Sequence, residues 1–93
     1  MKLLKDILYK VSIDSVIGST DININKIEFN SLKISKNDLF VAINGNRFDG
    51  NQFIIQAIKK GAKVILCKKL PVNISKEITY VKVKDVRESL ALI

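Results

Sequence analysis

The sequence predicts a small α/β domain: a mixed β-sheet with flanking helices, built around a βαβ unit. Three observations carry that expectation. Residues 38–43, DLFVAI, form a nearly continuous apolar run suited to an interior strand, and residues 63–67, KVILC, form a second. Between them, FIIQAIKKG sets Phe53, Ile54, Ala57 and Ile58 on one helical face. Strand, helix and strand in that order make a parallel pair joined by a crossover, normally right-handed.

The remaining elements follow in chain order. Residues 2–10, KLLKDILYK, place Leu3, Leu4, Ile7 and Leu8 at helical spacing and predict a short amphipathic helix. Gly18-Ser19-Thr20-Asp21 marks a turn. In residues 22–29, ININKIEF, Ile22 and Ile24 open a pattern in which Ile27 and Phe29 alternate with Lys26 and Glu28, a strand with one wet face. Ser35-Lys36-Asn37-Asp38 is a polar turn in which Asn37 tolerates a left-handed backbone. Gly61 closes the central helix as a C-cap. After Pro71, residues 78–84, ITYVKVK, read as an alternating strand with Ile78, Tyr80 or Val81, and Val83 competing for the core. Asp85 then N-caps a last helix with Val86, Leu90 and Ile93 at helical spacing. That helix ends on apolar residues without Gly, Pro or a basic last turn. The expected organisation is therefore one domain over residues 1–85, with residues 86–93 beginning a helix that leads into a longer protein.

Composition narrows the functions open to the chain. Its 93 residues suit one modest core, and 47% hydrophobic with 27% charged residues describes a globular chain. No apolar run approaches the roughly 20 residues of a membrane span. The charged start, Met1-Lys2-Leu3-Leu4-Lys5-Asp6, does not read as a secretory signal, so a cytoplasmic location is the expectation. There is no histidine, which removes imidazole bases and ligands, and no metal site is expected. The single cysteine, Cys67, excludes an internal disulfide and follows Val64-Ile65-Leu66, as a small buried hydrophobe would. The net charge of +7 invites a nucleic-acid reading, but the basic residues are almost all lysines spread from Lys2 to Lys84, with only Arg47 and Arg87 as arginines. Nucleic-acid readers tend to cluster arginine and interleave aromatics, so a solvated lysine surface is favoured.

Residues 43–52, INGNRFDGNQ, leave the strand at 38–43 and enter the helix. In open α/β sheets that edge is where ligands bind. Gly45 and Gly50 have the spacing of a P-loop, but Asn51 and Gln52 stand where its Lys and Ser or Thr belong. ATP hydrolysis on this chain is therefore not expected. Asp49 with Gln52 suits a capping box, and the two glycines serve the backbone. Phe48 suits packing and base stacking equally, and Arg47 suits phosphate contact and plain surface charge equally.

Residues 28–71 resemble the N-terminal domain of the Mur group of peptidoglycan ligases, nearest the UDP-N-acetylmuramoyl-dipeptide (MurE-type) branch. The matching residues are Ser31, Asp38-Leu39-Phe40-Val41-Ala42, Gly45, Asp49-Gly50 and Gly61-Ala62. They fall in the family's D-S-R, P-G-D-L-F-V-A, G-x-x-x-D-G-H and G-A pattern. The opening helix and the last strand and helix are similar as well, so the resemblance covers nearly the whole chain.

The resemblance implies a domain that holds the uridine diphosphate end of a UDP-N-acetylmuramoyl-dipeptide. Its contacts would fall on Phe29 and Ser31, and on Asn46, Arg47 and Phe48 in the loop. It also implies an ATP- and magnesium-using central domain and a third domain elsewhere in the same chain, with no cofactor bound by these 93 residues. The whole enzyme would join a diamino acid, diaminopimelate or lysine, to the dipeptide through an acyl phosphate. The sequence departs from the pattern at Asn30 and Leu32, which flank Ser31, at Asn51 in place of the histidine, and at Lys36-Asn37 in place of P-G. Lys33, placed on a strand, would point away from the site left by the absent arginine. Alternative readings are the related ligase that adds D-alanyl-D-alanine, a small basic nucleic-acid-binding module, and an interaction domain without a ligand.

Overall fold

The computed structural model describes residues 2–43 and 53–93. A five-stranded mixed sheet organises them. In chain order its strands are Ile13–Ile17 (β2), Ile27–Glu28 (β4), Leu39–Val41 (β5), Val64–Cys67 (β6) and Thr79–Val83 (β7). Across the sheet they run β2-β7-β6-β5-β4. The last four are mutually parallel, with Ile27 opposite Leu39, Leu39 opposite Val64, and Val64 opposite Thr79. Only β2 runs antiparallel, along β7. A separate two-stranded ribbon pairs Lys2–Leu3 (β1) with Asn23–Ile24 (β3). Three helices cover the main sheet: Leu4–Ile7 (α1), Ile54–Lys59 (α2) and Val86–Leu92 (α3). The expected βαβ unit is present as β5, α2 and β6, and the mixed α/β class holds.

Because side chains alternate along a strand, the parallel strands feed two cores. Leu39, Val41, Val64, Leu66, Val81 and Val83 face Leu4, Leu8, Ile24 and Val86 on the α1 and α3 side. Phe40, Ala42, Ile65, Cys67 and Tyr80 face Ile54, Ala57 and Ala62 on the α2 side. Tyr80 and Val81 therefore do not compete: each is fully buried, on opposite faces. A strand covered on both faces reads as an unbroken apolar run, which is why DLFVAI and KVILC stand out in the sequence.

Turn chemistry fixes the ends of these elements. Asn37 has φ 66°, and Gly61 has φ 115°. The Gly61 carbonyl accepts from the Asn37 N–H at 2.8 Å, and a Cβ on Gly61 would lie 2.8 Å from the Lys36 Cα. The two turns thus touch backbone to backbone, which only glycine allows. Asp85 Oδ1 accepts from the Glu88 N–H at 3.0 Å, the expected N-cap of α3.

Three sequence expectations are corrected, and one strand, β2, was not anticipated. The first helix is shorter than residues 2–10, because Lys2 and Leu3 pair with β3 instead. The single strand at 22–29 is two strands in different sheets, β3 and β4, with Asn25 and Lys26 turning the chain between them. Residues 31–33 form one 3-10 turn, so Lys33 is not on a strand, and its carbonyl accepts from Lys26 Nζ at 2.9 Å. Finally, β2 carried no alternating signal: its register shifts between Ile13 and Ser15, and all five residues remain exposed on the sheet edge.

Candidate functional site

The C-terminal ends of β4, β5, β6 and β7 lie along one edge of the sheet, since the four strands are parallel. Ala42 and Ile43 continue the chain from β5; Asn46, Arg47 and Phe48, together with the capping and glycine readings at 45 and 49–52, lie outside the described residues. The candidate site that can be built is therefore the chain leaving β4.

That exit is held by one carboxylate and one carboxamide. Glu28 Oε2 accepts from the backbone N–H of Phe29 at 3.1 Å and of Asn30 at 3.0 Å. Asn30 Oδ1 in turn accepts from the Leu32 N–H at 3.0 Å and caps the 3-10 turn. The acceptor role is one that Asn and Asp share, so the departure at position 30 keeps the local geometry. Fixed in this way, Phe29 stands 61% exposed at the end of β4.

Ser31 is placed differently: it is only 6% exposed, and its Oγ donates to Gln56 Oε1 on α2 at 2.6 Å. A hydroxyl has one hydrogen, so toward a ligand Ser31 Oγ is left as an acceptor. The bond ties the 3-10 turn to α2. Gln56 was not singled out in the sequence. The signal available was a polar residue three positions after Phe53, on the flank of the apolar face.

Beneath the exit lies a charged node the sequence also understated. The buried Asp38 carboxylate accepts from Lys26 Nζ at 2.6 Å, the Ser35 N–H at 2.7 Å and Asn25 Nδ2 at 3.3 Å. It locks the turn that launches β5 to the connection between β3 and β4. Leu32, at the position of the family's arginine, is exposed and apolar.

Cys67 ends β6 as a fully buried thiol, and burial raises its pKa to about 11, with Lys82 pulling the other way. At neutral pH it is protonated and packs as a hydrophobe. Among the described residues no group of three or more His, Cys, Asp or Glu is placed to hold a metal, and no helix is long and apolar enough to cross a membrane.

Comparisons with known proteins place this geometry. The profile described as Mur ligase family, catalytic domain, matches residues 23–93. A UDP-N-acetylmuramoyl-L-alanyl-D-glutamate–2,6-diaminopimelate ligase of Cytophaga hutchinsonii is 41% identical over 91 residues, covering 97% of this chain and 19% of that protein. The ligase of the same name from Clostridium tetani is 44% identical over 91 residues, covering 96% of this chain and 19% of its own length. Among solved structures, the D-alanyl-D-alanyl ligase MurF of Acinetobacter baumannii matches with a TM-score of 0.65 and 29% identity, over 74% of this chain and 15% of that one. The chain thus spans about a fifth of the length of the curated relatives it matches.

Proposed function

The chain belongs to the Mur ligase family, and from that premise we propose that it is the substrate-anchoring domain of a ligase that adds a diamino acid to UDP-N-acetylmuramoyl-L-alanyl-D-glutamate. The observation that carries the reading is the identity of 41–44% along almost the whole chain to ligases named for 2,6-diaminopimelate. The site geometry is consistent with it: Phe29 offers an exposed ring, Ser31 an acceptor, and both follow β4 at the C-terminal edge of the parallel strands. In this reading Phe29, Ser31, Asn46, Arg47 and Phe48 contact the uridine diphosphate end of the substrate.

The chain's own residues bind and orient; they do not activate. Residues 43–52 lack the lysine and hydroxyl of a P-loop, so in this reading ATP and magnesium are used elsewhere in the polypeptide. No chemical step is assigned to this chain. ATP use belongs to a central domain and amine recruitment to a third, both partners in the same polypeptide. The setting is cytoplasmic peptidoglycan synthesis.

A second reading has a specific observation behind it, the fold match to MurF, whose name carries D-alanyl-D-alanine as the added unit. The two are separated by splicing these residues in place of the matching fifth of the C. tetani ligase. Diaminopimelate-dependent ADP release with the dipeptide substrate is the expected result. A chimera that folds yet turns over only when spliced into a MurF host would transfer the assignment to the later enzyme.

A further inference from the structure

Lys26 immediately precedes β4, and its ammonium group has three oxygen neighbours. Nζ donates to Asp38 Oδ2 at 2.6 Å and to the Lys33 carbonyl at 2.9 Å, and it lies 3.9 Å from Glu28 Oε1. Asp38 is fully buried just before β5, so the first contact fixes where the ammonium sits. The other two contacts reach the two ends of one short segment. Glu28 ends β4 and Lys33 ends the 3-10 turn, with Phe29, Asn30, Ser31 and Leu32 between them. One side chain thus clasps residues 28–33 at both ends.

Within the clasp the bonds are short in range. Glu28 Oε2 takes the N–H groups of Phe29 and Asn30, while Asn30 takes those of Leu32, on its side chain, and Lys33, on its carbonyl. Glu28 is therefore shared: one oxygen faces the Lys26 ammonium and the other holds the backbone that carries Phe29. The residues flanking Ser31, Asn30 and Leu32, carry no charge. The cation that sets this segment against the sheet comes from Lys26, outside it.

We infer that Lys26 is a positioning residue for the nucleotide-sugar site: it holds residues 28–33 in the conformation that presents Phe29 and Ser31 to the substrate, without touching the substrate itself. The inference rests on the reading of Phe29 and Ser31 as substrate contacts. Its physical content is preorganisation. A segment already fixed when the substrate arrives needs no further ordering, whereas a freed one is ordered at the expense of affinity. A purely structural ion pair would behave differently: its loss would lower the melting temperature and leave the affinity of the folded protein unchanged.

The test measures affinity for UDP-N-acetylmuramoyl-L-alanyl-D-glutamate and melting temperature in the wild-type chain, Lys26→Met, Lys26→Arg and a Lys26→Met/Asp38→Asn double variant. Lys26 keeps 42% of its side chain exposed, so its replacement opens no core cavity. The double variant removes the buried charge together with its cation, which is gentler on the fold than stranding Asp38. Asp85→Ala, at the cap of α3, is the control destabilised away from the segment. At a temperature where every variant is folded, Lys26→Met and the double variant should bind about tenfold more weakly. Their amide exchange at Phe29 and Asn30 should be faster. Lys26→Arg, which keeps the charge, should recover most of the affinity, and Asp85→Ala should bind as the wild type does despite its lower melting temperature. Equal affinity in the wild type and the double variant overturns the inference and leaves the nucleotide-sugar reading standing. So does a loss of affinity that Asp85→Ala shares, since stability alone would then explain it. No saturable binding by the wild-type chain overturns both.

Discussion

Asp38 does more at the scale of a single residue than its place in a polar turn suggests. Its buried carboxylate takes hydrogen bonds from Lys26, Ser35 and Asn25, and hydrogen bonds to a charged acceptor each contribute roughly 1.5–3 kcal/mol. Asp38→Ala should therefore lower stability by about 2–3 kcal/mol in urea unfolding, and Asp38→Asn, which keeps the shape and one acceptor, by less. A change within error for both would remove the node from the account. The sequence marked Asp38 as a family match without revealing its partners, because Lys26 and Asn25 lie 12 and 13 positions away. Cys67 was legible, since its apolar neighbours announce a buried strand. Its folded-state pKa is raised from 9.0 to about 11 by burial. Below pH 9 both the native and the unfolded thiol hold the proton, so this group adds no pH dependence there. Between about pH 9 and 11 the unfolded thiol releases its proton and the native one does not, so stability falls as pH rises. Cys67→Ala should flatten that alkaline limb, measured as unfolding midpoint against pH.

At the scale of elements, legibility followed burial. The interior strands β5 and β6 and the helix between them are apolar enough to declare themselves. By contrast β2, exposed along its length and shifted in register, is defined only by its pairing with β7. The split of residues 22–29 was hidden for a similar reason: alternation continues through Asn25 and Lys26 although the chain changes sheets there. Caps and turns were readable because their chemistry is local. Asp85→Ala should cost about 1 kcal/mol through the lost bond to the Glu88 N–H. Gly61→Ala should cost more, about 1–3 kcal/mol, since the new methyl meets the Lys36 backbone and the residue must hold φ 115°. Thermal melts of the two variants check the order, and a milder effect for Gly61→Ala than for Asp85→Ala would contradict the backbone contact described between the turns.

For the whole molecule, two cores around one mixed sheet leave an edge where the C-terminal ends of its four parallel strands gather, and the proposed function lives there. The sequence pointed to this edge through the loop at residues 43–52 and, by resemblance, through Phe29 and Ser31. It could not show that Ser31 is tied to Gln56, or that Lys26 clasps the 3-10 turn at Lys33, because those meetings are made by the fold rather than by neighbours in the chain. Nor did the net charge of +7 identify a partner, since most lysines are spread over the surface. The central claim is that this chain anchors a uridine-diphosphate-linked muramyl dipeptide. The most direct test is an amide NMR titration with UDP-N-acetylmuramoyl-L-alanyl-D-glutamate, run against a short DNA duplex at matched salt. Saturable shifts centred on Phe29, Ser31 and Gln56, absent with DNA, are the expected result; shifts with DNA alone, spread across lysine-bearing surface, would contradict the claim.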